Sequence, residues 1–331
     1  MELGYNLEDY GDHWRTRAVY RGGKNASALQ IYKDSGGWID YGGDNEFRKL
    51  SELLNLSNYT GTFTLSSSQL RKERELISME EKLFTEDSLR KLIPNYSFYM
   101  KKNISEATLR FFKGGVAMSG SLYGRFVFPI YKQNRVINGF SGRDVLNRDQ
   151  APKWKHFCNR RLWAYPFFIP DEDGVYVIDE KIRKSKEIVL MESIGDALNC
   201  FDNGIKNIGV TFGLDISKSL LGYLLSLDAD RIVLSTNNDN NKEGLNSGFC
   251  SAIKNYLILS QFFSTDKLFI CLPTKNDFGD MKPPDFSKWS SKKEKILADK
   301  DQVEHVVKAA EKMIEKKQVP QKYRKIVCQI K

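Results

Sequence analysis

The sequence predicts an α/β fold: a parallel sheet flanked by helices, preceded by a mixed α/β subdomain and a small β-ribbon. Four apolar runs have the composition of buried strands, and they lie at 187–191, 207–212, 231–236 and 267–272. Helical patterns separate them at 194–203, 217–227 and 246–262. Strands that alternate with helices of this length form parallel sheets with helices on both faces.

Acidic and amide side chains come directly after three of these runs. They are Glu192, Asn237, Asn238, Asp239, Asp277 and Asp280. Because the carboxyl ends of parallel strands meet at one edge of an open sheet, we expect these side chains to line one crevice. Carboxylate oxygens are the ligands that Mg²⁺ prefers, so the pattern predicts a divalent-metal site. The alternative is that the acids only cap helices.

Composition and charge narrow the classes of protein. A chain of 331 residues is long enough for two or three domains with a substantial core. Lys and Arg number 51 against 42 Asp and Glu, and this net charge of +9 favours a polyanionic partner. Basic proteins without such a partner are also common. The charge alone therefore does not decide the function.

Other features of the sequence indicate a cytoplasmic protein with no membrane partner. No apolar run approaches the ~20 residues of a membrane span. The N-terminus lacks the charged and then apolar layout of a secretory signal. The five cysteines are scattered, which suits a reducing compartment.

We expect residues 1–58 to form a small β-ribbon domain. Glycine pairs separate predicted strands at 14–21, 28–32 and 38–41, and a short helix is predicted over 47–54. So small a ribbon normally needs a metal or a disulfide. This one contains no cysteine, and its one histidine is His13, so zinc is not expected. It either docks on the rest of the chain or contacts nucleic acid.

Residues 59–94 form a predicted helical linker region. A stretch rich in serine, threonine and asparagine at 55–68 is followed by two amphipathic patterns over 69–92, interrupted near Thr85. Beyond it, residues 95–184 form a predicted basic subdomain. This begins with a short helix and a second helix that Ser105 caps.

The basic subdomain combines cations with aromatic side chains. A strand at 124–131 is predicted to pair with a strand at 135–140. Arg125, Arg143, Lys153 and Lys155 lie among aromatic residues that include Trp154. Cations beside stacking surfaces suit single-stranded nucleic acid or nucleotide phosphates. A twisted sheet with a basic face is an equally good interpretation of the spacing alone.

The remaining two segments are a parallel-sheet domain at 185–285 and C-terminal helices with a basic tail at 286–331. A helical stripe of Val303, Val306, Val307, Ala310 and Ile314 predicts a packed helix. We expect residues 316–331 to be partly disordered.

Several segments resemble a known family. Glu192–Asp196, Gly213 and Arg231–Asp239 resemble the toprim domain shared by primases and topoisomerases. Further segments are similar to motifs of bacterial-type (DnaG-like) primases: Tyr99–Ser105 to Tyr-Leu-x-x-Arg-Gly-Ile-Ser, Arg125–Ile130 to Arg-hydrophobic-Phe-Pro-Ile, Gly139–Arg143 to Gly-Phe-x-Gly-Arg, and Ala151–Trp154 to Pro-Lys-Tyr. Lys275–Met281 resembles the last acidic motif of phage primases. The motifs keep the family's order over 99–281, and the short chain, without a long helicase-binding domain, favours a phage primase.

The resemblance implies a DNA primase that makes short RNA primers on single-stranded DNA for phage replication. It implies Mg²⁺ or Mn²⁺ held by Glu192, Asn237, Asp239, Asp277 and Asp280. Glu192 is alternatively the proton acceptor, and Asp196 orients the site. The implied phosphate contacts are Arg125, Arg143 and Lys153, with Trp154 and Lys155 also binding nucleic acid. The implied partners are a single-stranded DNA template, ribonucleoside triphosphates, a replicative helicase and a single-stranded-DNA-binding protein.

Two features depart from the family pattern. Asn237 stands where the family has Asp, so one negative ligand is lost and metal binding should weaken. Residues 240–244 also differ from the usual Arg-Ala-Gly. At the N-terminus, primases carry a zinc ribbon that reads the template, and this chain would have a metal-free form of that ribbon.

Three functions remain open from the sequence. The first is a primase acting beside a replicative helicase. The second is a toprim nuclease, which would use the same acids to hydrolyse phosphodiesters, although the basic segment at 125–155 disfavours it. The third is a primase-derived nucleic-acid-binding or replisome subunit without catalysis, which Asn237 and the missing zinc ligands favour.

Overall fold

A computed structural model describes residues 5–11, 13–33, 37–43, 46–57, 82–149, 151–239 and 246–330. The chain divides into two compact units, Met1–Glu80 and Glu81–Lys331. Each is described by itself below. No helix in the described ranges is both long and apolar enough to cross a membrane.

The N-terminal unit is a five-stranded antiparallel sheet whose strands neighbour one another in chain order. The strands are β1 (Glu8–Asp9), β2 (His13–Thr16), β3 (Leu29–Tyr32), β4 (Gly37–Asp40) and β5 (Phe47–Lys49), and helix α1 (Leu50–Leu56) follows. The predicted helix over 47–54 is wrong at its start, because Phe47–Lys49 pairs with β4. The strand predicted over 14–21 ends at Thr16, and Val19–Arg21 forms a 3₁₀ turn.

A small apolar core and one buried carboxylate stabilise this sheet. The core side chains are Ala18, Leu29, Ile31, Trp38 and Leu53. The side chain of Asp40 is 0% exposed and accepts two hydrogen bonds from the Arg21 guanidinium, at 2.5 and 2.8 Å. Tyr20 Oη donates to the same carboxylate at 2.8 Å. This ion pair links the 3₁₀ turn to β4 and so connects segments that are distant in sequence.

The second unit begins with an antiparallel sheet in the order β10-β9-β8-β7-β6. Its elements are β6 (Leu92–Ile93), α2 (Ser97–Met100), α3 (Glu106–Phe111), β7 (Gly115–Ala117), β8 (Arg125–Tyr131), β9 (Ile137–Asp144) and β10 (Trp154–Phe157). The predicted pairing of the strand at 124–131 with the next strand is confirmed. The predicted cap is also confirmed, since Ser105 Oγ accepts from Thr108 N at 3.2 Å.

The predicted helical linker is only partly within the described residues. Residues 58–81, with the first amphipathic pattern, lie outside them. The second pattern gives a 3₁₀ helix, Glu86–Lys91, rather than an α-helix. Beside it, Phe84 forms a β-bridge to Ile137, so this segment packs on the antiparallel sheet.

The predicted parallel sheet is confirmed, with strand order β12-β11-β13-β14. After α4 (Val177–Ser185), its elements are β11 (Glu187–Met191), α5 (Ile194–Asp202), β12 (Ile208–Val210), α6 (Lys218–Leu225), β13 (Arg231–Leu234), α7 (Ser247–Leu259) and β14 (Leu268–Ile270). Right-handed crossovers place α5 on one face and α6 and α7 on the other. The chain reverses direction across the sheet between β11 and β13, the position where such sheets bind ligands.

Three helices complete the chain: α8 (Pro283–Leu297), α9 (Gln302–Glu315) and α10 (Arg324–Ile330). Of the predicted stripe, Val306, Val307, Ala310 and Ile314 are buried on α9, and Val303 is partly buried. The expectation of disorder over 316–331 is wrong for the described part of that tail. Val319, Tyr323 and Val327 are buried, so the tail packs on the core despite its basic surface.

The two sheets of the second unit share one hydrophobic core. A β-bridge between Tyr165 and Val210 also connects the segment after β10 to the edge strand β12. The antiparallel and parallel sheets are therefore held in a fixed relation. The five-segment division of the sequence given above stays a prediction.

Asp40→Asn should destabilise the N-terminal unit at neutral pH by roughly 2 kcal/mol, since hydrogen bonds to a charged group contribute about 1.5–3 kcal/mol. Chiefly through its hydrogen bonds to Arg21, the pKa of Asp40 lies below its ordinary value. Its stabilisation is therefore full above about pH 4 and is lost as the pH falls through the folded-state pKa. Hydrogen exchange of β3 and β4 measures this.

Asp9→Asn serves as the control, because Asp9 is exposed in its pair with Lys33. It should leave the protection of β3 and β4 unchanged. Equal protection in Asp40→Asn and the wild type at pH 7 would contradict the role assigned to the buried ion pair.

Candidate active site

Three carboxylates from different strand ends lie together; we call Glu192, Asp239 and Asp277 the acidic crevice. Glu192 follows β11 directly, and Asp239 and Asp277 follow β13 and β14. Burial raises the pKa of Glu192, and the charges of Asp239 and Asp277 raise it further, whereas Lys153 lowers it. Burial and then Asp280 raise the pKa of Asp277. Asp239 and Asp277 therefore both lie within electrostatic reach of Glu192.

Local structure fixes Glu192 and Asp239. The main-chain oxygen of Glu192 accepts from the amide of Gly213 at 3.3 Å, and Gly213 has a φ of +128°, which favours glycine. Asp239 accepts from Ser247 Oγ at 3.2 Å and from Gly248 N at 3.3 Å at the start of α7. A side chain on Gly248 is excluded, since a Cβ would lie 1.9 Å from the oxygen of Asn237.

The carboxylate of Asp196 connects the start of α5 to the loop from 277 to 280. It forms a capping box with Ser193 at the start of α5, and its other oxygen accepts from Gly279 N at 3.3 Å. Burial, followed by the charge of Asp277, raises the pKa of Asp196 to about 7. The residue therefore holds the loop that carries Asp277 and Asp280 against the helix that follows Glu192.

The loop from 277 to 280 is itself a tight turn. Asp277 caps the 3₁₀ turn Phe278–Asp280, and its side chain accepts from Asp280 N at 2.8 Å. Asp280 is exposed at the mouth of the cleft described below. Asn199 on α5 donates to the main-chain oxygens of Phe278 and Met281, which fixes the turn at both sides.

Asn237, the fifth predicted metal ligand, is half-buried two residues before Asp239. The neighbouring Asn238 donates to the oxygen of Pro273 at 3.0 Å, and its amide donates to the oxygen of Asn276. The segments that carry Asp239 and Asp277 are thus joined directly. Residues 240–244, which depart from the family pattern, lie outside the described residues.

The donor chemistry of the acidic crevice fits a divalent cation. Carboxylates that raise one another's pKa are stabilised by a cation between them. Within the described ranges, no group of three or more acidic, histidine or cysteine side chains is arranged to hold a metal ion. That is compatible with Mg²⁺, which is usually held by one or two carboxylates and completes its shell with waters and substrate phosphates. Glu192, Asp239 and Asp277 are the candidates for those one or two carboxylates.

A basic wall faces Asp277 and Asp280 across a cleft. Arg143, Lys153 and Trp154 line it together with Asp196, Asp277 and Asp280. Trp154 on β10 pairs with Arg143 on β9, and Arg143 Nη1 donates to the oxygen of Lys153 at 3.3 Å. Lys153 lowers the pKa of both Glu192 and Asp277, whose main shift is upward through burial. The antiparallel sheet therefore supplies the positive side of the site.

Two residues predicted to bind phosphate or nucleic acid lie elsewhere. Arg125 is 3% exposed, and its Nη1 donates to the main-chain oxygens of Gly142 and Pro152. Arg125 thus joins β8, β9 and the segment before β10, and its phosphate contact stays a prediction. Lys155 is exposed but does not line the cleft, because neighbouring side chains of a strand point to opposite faces.

Sequence reasoning missed two lining residues, Phe98 and Lys102. Lys102 precedes Asn103, whose φ of +61° is a conformation that glycine adopts most easily. Lys102-Asn103-Ile104-Ser105 therefore aligns with the Arg-Gly-Ile-Ser end of the primase motif. Aligning that motif from its C-terminal end would have identified Lys102.

A carboxylate on α5 holds this segment in place. Asp202 accepts from the amide and hydroxyl of Ser105 and from the hydroxyl of Thr108, so it binds the start of α3. We call this contact the Asp202 clasp. Since α5 carries Asp196 at its other end, one helix connects the acidic crevice to the segment that carries Lys102.

The fold and site define a class of α/β protein in which carboxylates at the strand ends of a parallel sheet lie opposite basic side chains of an antiparallel sheet. Comparison with known proteins then places it among relatives. The chain is 26% identical to the DNA primase of Borreliella burgdorferi, in a match that covers 60% of this chain and 36% of that protein. It is 27% identical to the DNA primase of Helicobacter pylori strain J99, in a match that covers 39% of this chain and 22% of that protein. The chain thus spans about a third or less of the length of these relatives.

The fold agrees with these sequence matches. The Aquifex aeolicus primase structure, with its zinc-binding and RNA polymerase domains, aligns with a TM-score of 0.50 and 17% identity, covering 94% of this chain and 85% of that chain. No protein-family model matches the chain. The chain is thus similar in sequence to two bacterial DNA primases and similar in fold to a third.

Asp202→Ala should lower the free energy of unfolding of the second unit by roughly 2 kcal/mol, because it leaves several donors without an ionised acceptor. In the double variant, Ser105→Ala should add little to this loss of stability, since both changes remove the same contact. Denaturant titrations of the two single variants and the double variant measure the coupling. Glu106→Ala, which removes an exposed pair with Arg110, is the control and should have little effect. Additive effects of the Asp202 and Ser105 changes would contradict the clasp.

Proposed function

We propose that this protein is a DNA primase that synthesises short RNA primers on single-stranded DNA. The observation that carries the proposal is the opposition of carboxylates and basic side chains. Asp277 and Asp280 line one cleft with Arg143 and Lys153, and Glu192 lies within electrostatic reach of Asp277 and Lys153. The primase relatives give this arrangement its substrate. The three acids follow β11, β13 and β14 of a toprim-type sheet, at the edge where such sheets bind ligands.

The reaction joins a ribonucleotide to a primer end. The attacking 3′-hydroxyl forms a bond to the α-phosphorus of a ribonucleoside triphosphate, the bond to the β-phosphate oxygen breaks, and pyrophosphate leaves. A divalent cation, which we propose to be Mg²⁺ or Mn²⁺, supplies charge neutralisation at the phosphoryl oxygens and activation of the hydroxyl. Asp239 and Asp277 would hold it, with Asp280 at the mouth of the cleft.

Glu192 would serve as a ligand or as the acceptor of the hydroxyl proton. Its pKa is raised, first by burial, which makes it a stronger base than an exposed glutamate. Asp196 positions the 277–280 turn and does not itself contact substrate. Arg143 and Lys153 would bind phosphate oxygens, and Trp154 would stack on a base of the template or of the nucleotide.

The proposed partners follow from this activity. They are a single-stranded DNA template, ribonucleoside triphosphates, a replicative helicase and a single-stranded-DNA-binding protein, in the cytoplasm of a host cell if the protein serves phage replication. The basic net charge of +9 suits association with nucleic acid.

A second candidate is a nucleic-acid-binding replisome subunit without catalysis. Asn237 favours it, because an amide brings no charge to the crevice where the family has a carboxylate. A primer-synthesis assay distinguishes the two candidates. Both would bind single-stranded DNA, and only a primase would join ribonucleotides on it.

Purified protein with single-stranded DNA, labelled ribonucleotides and Mg²⁺ or Mn²⁺ should yield template-dependent oligoribonucleotides. Glu192→Gln should reduce synthesis by about 10²-fold or more, the lower end of a general-base contribution, while single-stranded DNA affinity stays unchanged. Glu180→Gln, at an exposed position of α4, is the matched control and should retain full synthesis.

Three results would contradict the proposal. DNA binding without synthesis, even with a replicative helicase added, would favour the non-catalytic subunit. Cleaved DNA would indicate a nuclease. Synthesis that is unaffected by Glu192→Gln would place the chemistry outside the acidic crevice.

A further inference from the structure

Most of the surplus positive charge of the chain lies in its C-terminal helices. Residues 286–331 contain 13 Lys and Arg against six Asp and Glu, whereas the whole chain contains 51 against 42. This segment therefore carries seven of the nine net positive charges. All the residues assigned to the proposed reaction precede it, so that reaction does not account for the charge.

On helix α8, one lysine and both acids are engaged in contacts within the fold. Lys293 points inward and pairs at 2.5 Å with the buried Glu187 at the start of β11. Asp285 accepts from the amide of Lys282, and Glu294 pairs with Lys293 at 3.4 Å. Neither acid is therefore left to neutralise the other lysines of the helix.

The outward face of α8 is a shallow basic groove, which we call the lysine groove. Its lining consists of five exposed side chains: Ser287, Lys288, Ser291, Lys292 and Lys295. Residues three and four apart lie on one side of a helix, so the three ammonium groups form a row. Among the described residues, these three lysines form no ion pair. Lys292 also donates to the main-chain oxygen of Leu272 at 3.1 Å, which fixes part of the row.

This lining suits the phosphate backbone of a nucleic acid. Lys and Ser are typical ligands of phosphate oxygens in protein–DNA complexes. Interfaces with proteins are centred on buried aromatic or Arg anchors, and a helix on a membrane surface needs an apolar face. The described lining of the groove contains neither. Single-strand sites stack bases on aromatic rings, so a lining of Lys and Ser alone favours a duplex.

The position of α8 indicates which duplex this is. The helix begins at Pro283, three residues after Asp280 at the mouth of the cleft. At 1.5 Å per residue, Lys288 lies about 8 Å and Lys295 about 18 Å along the axis from that start. A template paired with a new primer would leave the cleft as a duplex, and α8 starts beside that exit.

We propose that the lysine groove binds the phosphate backbone of the primer–template duplex as it leaves the cleft. This rests on the proposed function and extends it from synthesis to retention of the product. Phosphate contacts carry no sequence information, so the groove would hold a primer of any sequence. Because the row lies on a packed helix, its charges keep a fixed spacing.

The salt dependence of binding to a pre-annealed RNA–DNA duplex, followed by fluorescence anisotropy, tests the groove. Lys288→Gln/Lys295→Gln should weaken duplex binding by about tenfold or more at low salt. It should also reduce the slope of log affinity against log salt concentration by about two, one for each lost phosphate contact. Lys288→Arg/Lys295→Arg should retain the wild-type slope, because Arg also binds phosphate.

Single-stranded oligo(dT) of the same length distinguishes the duplex from the template alone. The affinity of Lys288→Gln/Lys295→Gln for oligo(dT) should stay within about twofold of the wild type, well below the effect of a lost contact.

Lys181→Gln/Lys184→Gln is the matched control. Both lysines are exposed on α4, and the double change removes the same two charges from the chain. It should leave the affinity for the duplex and the salt slope unchanged. Thermal melting of each variant establishes that the fold is retained.

The groove is overturned if the two Gln double variants bind the duplex equally, or if the wild type binds no duplex. It is also overturned if Lys288→Gln/Lys295→Gln weakens oligo(dT) binding as much as duplex binding.

Primer synthesis is assayed in parallel, and the duplex is supplied already annealed. Lysine-dependent duplex binding by a protein that makes no primers would support the groove and contradict the proposed function. Primer synthesis by a protein whose duplex binding does not depend on these lysines would do the reverse, so the two failures are distinguishable.

Discussion

Confinement of negative charge at one edge of the parallel sheet is the constraint on which the rest of the site depends. Glu192, Asp239 and Asp277 are half-buried, and the charges of Asp239 and Asp277 raise the cost of ionising Glu192. Such a set is stable only with positive charge nearby. The structure supplies part of it through Lys153 and Lys102, and a bound divalent cation would supply more.

The second constraint is that the acidic and the basic side chains of the site belong to different sheets. The parallel sheet carries the carboxylates at its strand ends, whereas the antiparallel sheet carries Arg143, Lys153 and Trp154. One continuous core and the Asp202 clasp join them. The cleft is therefore a property of the whole second unit, and neither sheet would form it alone.

The acidic half of the site could be predicted from the sequence because strand ends are a local property. Apolar runs give the strands, and the residues just past them must lie at one edge of the sheet. The basic half was less predictable. Whether an arginine on a strand is buried or faces a cleft depends on its partners, and Arg125 is buried by contacts with two segments that follow it.

Other differences between the predictions from the sequence and the structure also have local causes. Lys102 lies in a turn, where no periodic pattern marks the direction of a side chain. Phe47–Lys49 has no helix-breaking residue, and only its pairing with β4 makes it a strand. The basic tail suggested disorder, but Val319, Tyr323 and Val327 are spaced to pack against the core, and this apolar minority determines its structure.

The most direct test of the acidic crevice is the affinity of the protein for Mn²⁺, followed by the loss of the free-ion signal in electron paramagnetic resonance. Our account predicts a site that Glu192→Gln weakens and that Asn237→Asp strengthens, because the number of charged oxygen ligands tunes affinity. An Mn²⁺ affinity that neither substitution changes would contradict it, since the cation would then bind elsewhere.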